Sequence, residues 1–178
     1  MITPEELSAT RQYLFLSPAE IAEEIGQSGE EWERYEAGLS IIPMVLIESM
    51  LYRLARYRAE VAQACMDDMV LHDQHGVRRI ILLWYRHRED MPGNVSTARW
   101  RIYQSVCAEH IATARYTLNP ETVPFDPVSY ADWCFQRQCA DTTARRLEWA
   151  RERAIQIYGC IFSPPVTSRI NGISARHP

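Results

Sequence analysis

Residues 17–43, SPAEIAEEIGQSGEEWERYEAGLSIIP, constrain the fold most strongly, because signals that start and stop helices alternate along them. Ser17 and Ser28 are preferred N-cap residues, and Ser17 is followed by a proline and, three residues on, by a glutamate that suits a capping box. Gly26 and Gly38 stand where a helix ends, since glycine accepts the positive φ that closes a helix. The pattern predicts two short helices joined by a tight turn.

Helical spacing continues on both sides of this segment. Thr3 and Pro4 open a predicted helix over 4–13. After Pro43, an apolar stripe predicts one long helix over 44–75. The stripe consists of Leu46, Met50, Leu54, Tyr57, Val61, Ala64 and Met69.

The composition changes after residue 76. The run RRIILLWY over 78–85 is β-branched and aromatic, which predicts one buried strand. Its flanking arginines and Trp84 leave a second interpretation open, in which the run binds single-stranded nucleic acid by stacking and charge. A helix from Ser96 or Thr97 follows, then a proline-rich linker over 117–127, helices over 128–137 and 141–158, and a poorly ordered tail over 163–178.

Together these segments predict a mainly α fold. Residues 1–75 form an N-terminal helix-turn-helix domain with a long C-terminal helix, residues 76–116 a small α+β dimerisation region with one strand, and residues 117–178 a helical extension and tail. A single strand needs a partner strand, and a symmetric dimer supplies one. The sequence therefore predicts a homodimer.

Charge is unevenly distributed along the chain. Residues 1–60 contain 11 glutamates and five arginines, a balance of −6, while the other 12 acids and 14 arginines give residues 61–178 a balance of +2. The segment with the two short helices is thus the acidic one. This matters because affinity for DNA comes largely from neutralising phosphates.

The motifs of enzymes and cofactor sites are missing from the sequence. It has no glycine-rich phosphate loop, no nucleophile elbow and no CxxC pair, and its five cysteines indicate free, mostly buried thiols. His72 and His75, with Asp67 and Asp68 before them, suit either part of a metal site or a solvated helix end, and we favour the latter. We predict neither enzymatic activity nor a metal or other cofactor.

Membrane insertion is also not expected. No window approaches the ~18 apolar residues of a membrane span, and the first residues carry acids where a signal peptide carries basic residues. The sequence predicts a cytoplasmic protein.

The spacing over residues 5–60 resembles the λ-repressor-like (XRE-type) helix-turn-helix family. More narrowly, the chain resembles small cytoplasmic helix-turn-helix proteins that include anti-CRISPR-associated (Aca) autorepressors, and this similarity extends through residues 80–85 into ARWRIYQSVCAEHIA. The positions that carry the wider resemblance are Leu7, Arg11, Leu16, Ser17, Ile21, Ala22, Ile25, Gly26, Trp32, Tyr35, Glu36, Gly38 and Pro43.

The resemblance implies an N-terminal λ-repressor-like domain that binds a double-stranded DNA operator, and a dimeric repressor or autorepressor. The second of the two short helices would lie in the major groove, with palindromic half-sites about one helical turn apart. Arg11 and Glu36 would form a structural ion pair. The residues carried over as DNA-binding are Ser17, Gln27, Ser28, Gly29, Glu30 and Arg34.

The acidic second helix, GEEWERYE, keeps an alternative open. Glu30, Glu31 and Glu33 would repel phosphates, and the loop after Gly38 has apolar residues where the family is usually basic. A protein-interaction module that meets a basic protein partner without binding DNA would also suit this surface. Arginines elsewhere in the chain would have to offset the repulsion if the module binds DNA.

Overall fold

The computed structural model describes the backbone of residues 2–68, 70–73, 78–113 and 120–161, and the side chains within these ranges except those of 66–78 and 160–161. The described chain is mainly helical and has two hydrophobic cores. The predicted tail over 163–178 lies outside the described residues.

Four helices form the N-terminal bundle, and local capping explains where the first three begin. They are α1 (Pro4–Tyr13), α2 (Pro18–Glu23), α3 (Gly29–Glu36) and α4 (Met44–Asp68). Thr3 and Ser17 start α1 and α2 with full capping boxes, and Ser28 caps α3. The buried residues of this first core are Leu7, Leu14, Leu16, Ile21, Ala22, Trp32, Tyr35, Ile47, Met50, Leu54, Ala98 and Ile102.

Helix α4 is shorter than the sequence predicted. It ends at Asp68, and the strand β1 (Val70–Asp73) lies where the prediction continued the helix to residue 75, so His72 belongs to a strand. Pairing of β1 with its neighbours satisfies the backbone there, which outweighs the helical spacing of the side chains. The buried face of α4 also differs from the predicted apolar stripe at its first position, because Ile47 is fully buried whereas Leu46 is 44% exposed.

The prediction of a single strand was wrong. A four-stranded sheet in the order β3-β2-β1-β4 is formed with β2 (Arg78–Trp84), β3 (Glu121–Pro124) and β4 (Cys160–Ile161). Strand β2 pairs in parallel with β3 and antiparallel with β1, and β1 pairs antiparallel with β4. The predicted proline-rich linker therefore contains a strand. Strand β2 finds its partners within the chain, so no second subunit is needed to pair it.

The second core lies around this sheet. It is covered by α5 (Thr97–Thr113), α6 (Pro127–Arg137) and α7 (Thr143–Tyr158). The residues from Ile80 to Leu83 are at most 1% exposed, which supports the core interpretation of this run over single-strand stacking. An aromatic cluster, in which neighbouring ring centroids are 5.2–5.9 Å apart, fills the space beside β2: Tyr85, Phe125, Tyr130 and Trp149.

Helices α4 and α5 each belong to both cores. Met50 and Leu54 of α4 lie in the first core, and Cys65 lies in the second. Along α5, Ile102 faces the first core while Val106 faces the second. The predicted division of the chain into three regions, with boundaries at residues 75 and 116, remains a prediction. Each of the three regions contributes at least one strand to the same sheet. Among the described helices, none is long and apolar enough to cross a membrane.

Candidate nucleic-acid interface

The α2–turn–α3 unit carries all six residues that the resemblance marks for DNA binding. Ser17 begins the unit: its Oγ accepts from the Glu20 N–H at 3.2 Å, and its own N–H donates to Glu20 Oε2 at 2.8 Å. Gly26 supplies the positive φ of 68° that turns the chain, and Gln27 N–H then donates to the Ala22 carbonyl at 2.9 Å. The turn is thus closed by backbone geometry.

Helix α3 begins at the exposed Ser28, whose Oγ accepts from the Glu31 N–H at 3.1 Å. Gly29 follows at the point where α2 and α3 cross. A Cβ built on Gly29 would lie 3.1 Å from Ala19 Cα and 3.3 Å from Ala19 Cβ, closer than most real Cβ contacts. Sequence reasoning did not identify Ala19 or Gly29 for this role.

The outer face of α3 is acidic and exposed. Glu30, Glu33 and Arg34 are all exposed. The guanidinium of Arg34 contacts two neighbouring side chains: Nε donates to Ser40 Oγ at 2.9 Å and lies 3.4 Å from Glu31 Oε2. The side chains of Arg34 and Glu31 are 58% and 34% exposed, so water screens this pair and little free energy opposes its opening.

Behind this face, Arg11 and Glu36 tie α1 to α3. Arg11 Nε donates to Glu36 Oε1 at 2.6 Å and NH2 donates to Oε2 at 2.9 Å, while Trp32 Nε1 also donates to Oε1 at 2.6 Å. Both charged side chains are only 12–13% exposed. Burial alone would raise the pKa of Glu36, but the hydrogen bonds from Arg11 and Trp32 outweigh it and hold that pKa below its ordinary value.

A second ion pair connects the start of α2 to α5. Arg101 Nε donates to Glu20 Oε1 at 2.8 Å, so Glu20 serves both the capping box and this bridge. Burial would raise the pKa of Glu20, but the bonds from Arg101 and Ser17 lower it. Sequence reasoning missed Arg101, because 81 residues separate the partners and no local pattern joins them.

Several arginines that could offset the acidic face are engaged elsewhere. Arg58 pairs with Glu109 and lies over the Tyr13 ring, Arg56 Nε is 2.8 Å from Glu60 Oε1, and Arg79 NH1 is 2.6 Å from Glu121 Oε1. Arg53 is exposed on α4. The side chain of Arg78 lies outside the described residues.

Apolar side chains surround the loop after α3. Leu39 is 72% exposed, Ile41 95% and Val45 84%. The surface at this loop is therefore apolar and uncharged at these positions. The described side chains include no cluster of three histidine, cysteine or acidic residues that could hold a metal ion. The side chains of His72, His75, Asp67 and Asp68 are not among them.

Comparison with known proteins places the chain in a family of helix-turn-helix regulators of the Aca type. A sequence model of the family described as Aca2/YdiL-like matches residues 2–118, and the chain belongs to this family. Over 108 residues it is also 32% identical to a protein named Aca2 repressor from Pectobacterium phage ZF40. That alignment covers 60% of this chain and 90% of the phage protein.

Proposed function

We propose that this protein is a dimeric transcriptional repressor that binds a double-stranded DNA operator in the cytoplasm, and that this operator lies upstream of its own gene. The observation that carries the proposal is the similarity to a repressor over 90% of that protein's length. The α2–turn–α3 unit adds support, since its marked side chains at Ser17, Gln27, Ser28, Glu30 and Arg34 are accessible from outside. The proposed role is one of binding, not catalysis.

Each marked residue has a role that its chemistry allows. Ser17 and Ser28 stand at helix N-termini, where a hydroxyl and backbone N–H groups suit a phosphate. Gln27 offers an amide beside them. Gly29, which lets α3 approach α2, would position the helix in the groove and contact no base. The half-sites of the operator would lie about one helical turn apart, because a two-fold dimer presents α3 twice.

Base recognition would fall to Glu30 and Arg34. A carboxylate can accept from cytosine N4–H, and a guanidinium can donate to guanine O6 and N7 together. Arg34 must first leave Glu31 and Ser40, which its exposure makes easy. The acidic face would keep non-specific affinity low, so that base contacts contribute a large share of the selectivity.

The test is fluorescence anisotropy of the purified protein with a duplex from upstream of its own gene and with a scrambled duplex, at several salt concentrations. We expect sequence-dependent binding with a shallow dependence on salt, since few arginines would contact phosphates. Arg34→Ala should weaken operator binding by about tenfold or more, because a bidentate contact to guanine contributes roughly 1–3 kcal/mol.

Arg145→Ala is the matched control. Arg145 lies on α7, outside the family match, and pairs with Glu148 at i, i+3 as Arg34 does with Glu31, with similar exposure. This variant should bind the operator like the wild type. Equal affinity for both duplexes, or equal losses in the two variants, would contradict the proposal. The protein-interaction alternative has no relative in its favour and is not proposed.

A further inference from the structure

A cavity of about 320 Å³, open to solvent on one side, lies beside the second core, and none of its described lining residues belongs to α2 or α3. Its walls come from the C-terminal half of α4, from β2, from α5 and from the first turns of α7. The lining side chains include Tyr57, Val61, Ala64, Leu83, Thr143 and Leu147.

The lining determines the polarity of an occupant. No charged side chain is among the described residues that line this cavity, and its surface is mostly apolar. A charged group placed against these walls would lose part of its hydration and gain no ion-pair partner among them, so a charged molecule is disfavoured. An apolar molecule would replace its contact with water by contact with the walls.

Two hydroxyl groups add a polar feature. Tyr57 and Thr143 both line the cavity; Tyr57 is partly buried, whereas Thr143 lies at the exposed rim. Burial raises the pKa of Tyr57, so its phenol stays neutral at physiological pH and can donate or accept. By contrast, the Tyr103 hydroxyl is already used, since it donates to the Leu83 carbonyl.

The volume of the cavity limits the size of the ligand. Apolar cavities of about 150 Å³ stay dry and take up a benzene ring. A cavity of about 320 Å³ is therefore large enough for a fused two-ring molecule. It is at the lower end of the range of small-molecule sites in proteins.

The segment beyond the family match completes the cavity. Thr143 and Leu147 belong to α7, and the match to the Aca2/YdiL-like family ends at residue 118. The family part supplies Tyr57, Val61 and Leu83, and α7 adds Thr143 and Leu147 to the wall. The site thus belongs to the longer form of the fold found in this chain.

We propose that this cavity is a binding site for a compact, neutral aromatic molecule that carries one hydrogen-bonding group. Binding here is independent of the proposed function, since it needs neither DNA nor a dimer. A ligand would touch α4 and α7 together and would stabilise the chain by binding only its folded state.

Indole and indene are suitable probes, because they share one shape and only indole has an N–H group. Isothermal titration of the full chain, with thermal melting alongside, should show saturable binding of both probes and a melting temperature that rises with probe concentration. Tyr57→Phe and Thr143→Val remove one hydroxyl each. One of them should weaken indole binding about threefold to tenfold and leave indene binding unchanged, since a neutral hydrogen bond contributes about 1 kcal/mol.

Ala64→Phe and Ala59→Phe form the control pair. Both alanines are exposed residues of α4, but only Ala64 lines the cavity. Ala64→Phe should fill the cavity and weaken the binding of both probes at least about tenfold. Ala59→Phe should bind both probes like the wild type. Absence of saturable binding up to millimolar probe, or equal affinity in the two variants, would overturn the proposal. Melting curves without probe check that each variant is folded.

Discussion

At the scale of single residues, the charge pair of Arg11 and Glu36 holds α3 in place behind its exposed face. The pair is bidentate, it is almost buried, and Trp32 adds a third hydrogen bond to the carboxylate. A pair of this kind is hard to break from one side, because the remaining charge stays in a poorly hydrated place. The orientation of the proposed recognition helix therefore depends on it.

Glu36→Gln should lower the free energy of unfolding at pH 7 by about 2–3 kcal/mol, since Arg11 would lose its counter-charge but keep its position. Urea denaturation followed by circular dichroism measures this. Glu60→Gln is the control, because the Arg56–Glu60 pair is exposed and should contribute less than about 1 kcal/mol. Similar losses in both variants would show that burial does not distinguish the two pairs.

The same pair predicts a pH dependence. The pKa of Glu36 is lowered in the folded protein from its ordinary value of 4.5. A lowered pKa gives stability that is complete above the unfolded value and is lost as the pH falls through the folded value. The stability difference between the wild type and Glu36→Gln should thus be constant above about pH 5 and should shrink below pH 4.5. A difference that does not change down to pH 3 would contradict this.

The sequence predicted local and family-patterned features of the site better than distant ones. The caps at Ser17 and Ser28 follow from residue type, and Arg11 and Glu36 stand at spacings that the family resemblance links. The Glu20–Arg101 ion pair joins residues 81 positions apart, and no sequence motif predicts such a contact. The tethering of Arg34 by Ser40 likewise depends on how the loop after Gly38 folds back.

At the scale of elements, the end of α6 carries backbone strain. Gln138, directly after Arg137, has φ 51° and ψ 41°, a left-handed conformation that costs a residue with a Cβ roughly 1 kcal/mol. The Cys139 N–H donates to the Cys134 carbonyl at 3.1 Å, which closes the helix around this residue. Glycine would meet the same geometry without that cost.

Gln138→Gly should therefore stabilise the protein by about 0.5–1 kcal/mol. Gln136→Gly, an exposed position inside α6 two residues earlier, should destabilise it by about 1 kcal/mol, because glycine is a poor helix former. Thermal melting of the two variants provides the comparison. Destabilisation by both would mean that the Gln138 side chain makes a favourable contact that exceeds the strain.

Element boundaries were predictable where caps define them, and not where pairing does. Helices α1, α2 and α3 begin at the predicted residues, and α7 ends at the predicted residue 158. The end of α4 and the presence of β1, β3 and β4 were missed. These strands are two to four residues long and owe their conformation to neighbours distant in sequence, so local periodicity carries little sign of them.

At the scale of the whole molecule, residues beyond the family match form part of the second core. Trp149, Ala150 and Ala154 of α7 are at most 1% exposed, and β3 extends the sheet beside β2. Removing them would expose the apolar surface of β2. The second core is therefore incomplete without residues beyond 118.

A chain shortened to residues 1–118 should lose cooperative unfolding of the second core and should aggregate or bind a hydrophobic dye, while far-ultraviolet dichroism retains helices of the first core. Light scattering after size-exclusion chromatography measures the association. Removal of residues 163–178 alone is the control, since the sequence predicts a poorly ordered tail there. A monodisperse short form that melts like the full chain would contradict this prediction.

The order of the sheet also has a consequence for synthesis. Residue 72 pairs with residue 161, and residue 81 with residue 121, whereas the first core joins residues that are mostly close in sequence. Pairing of distant residues slows folding, and chains begin to fold while they leave the ribosome. The α2–α3 unit can therefore be assembled early, whereas β1 waits for β4, the last described strand to emerge. During that interval the nascent chain carries a folded first core beside an open sheet edge, which is the stage at which a chaperone would act on it.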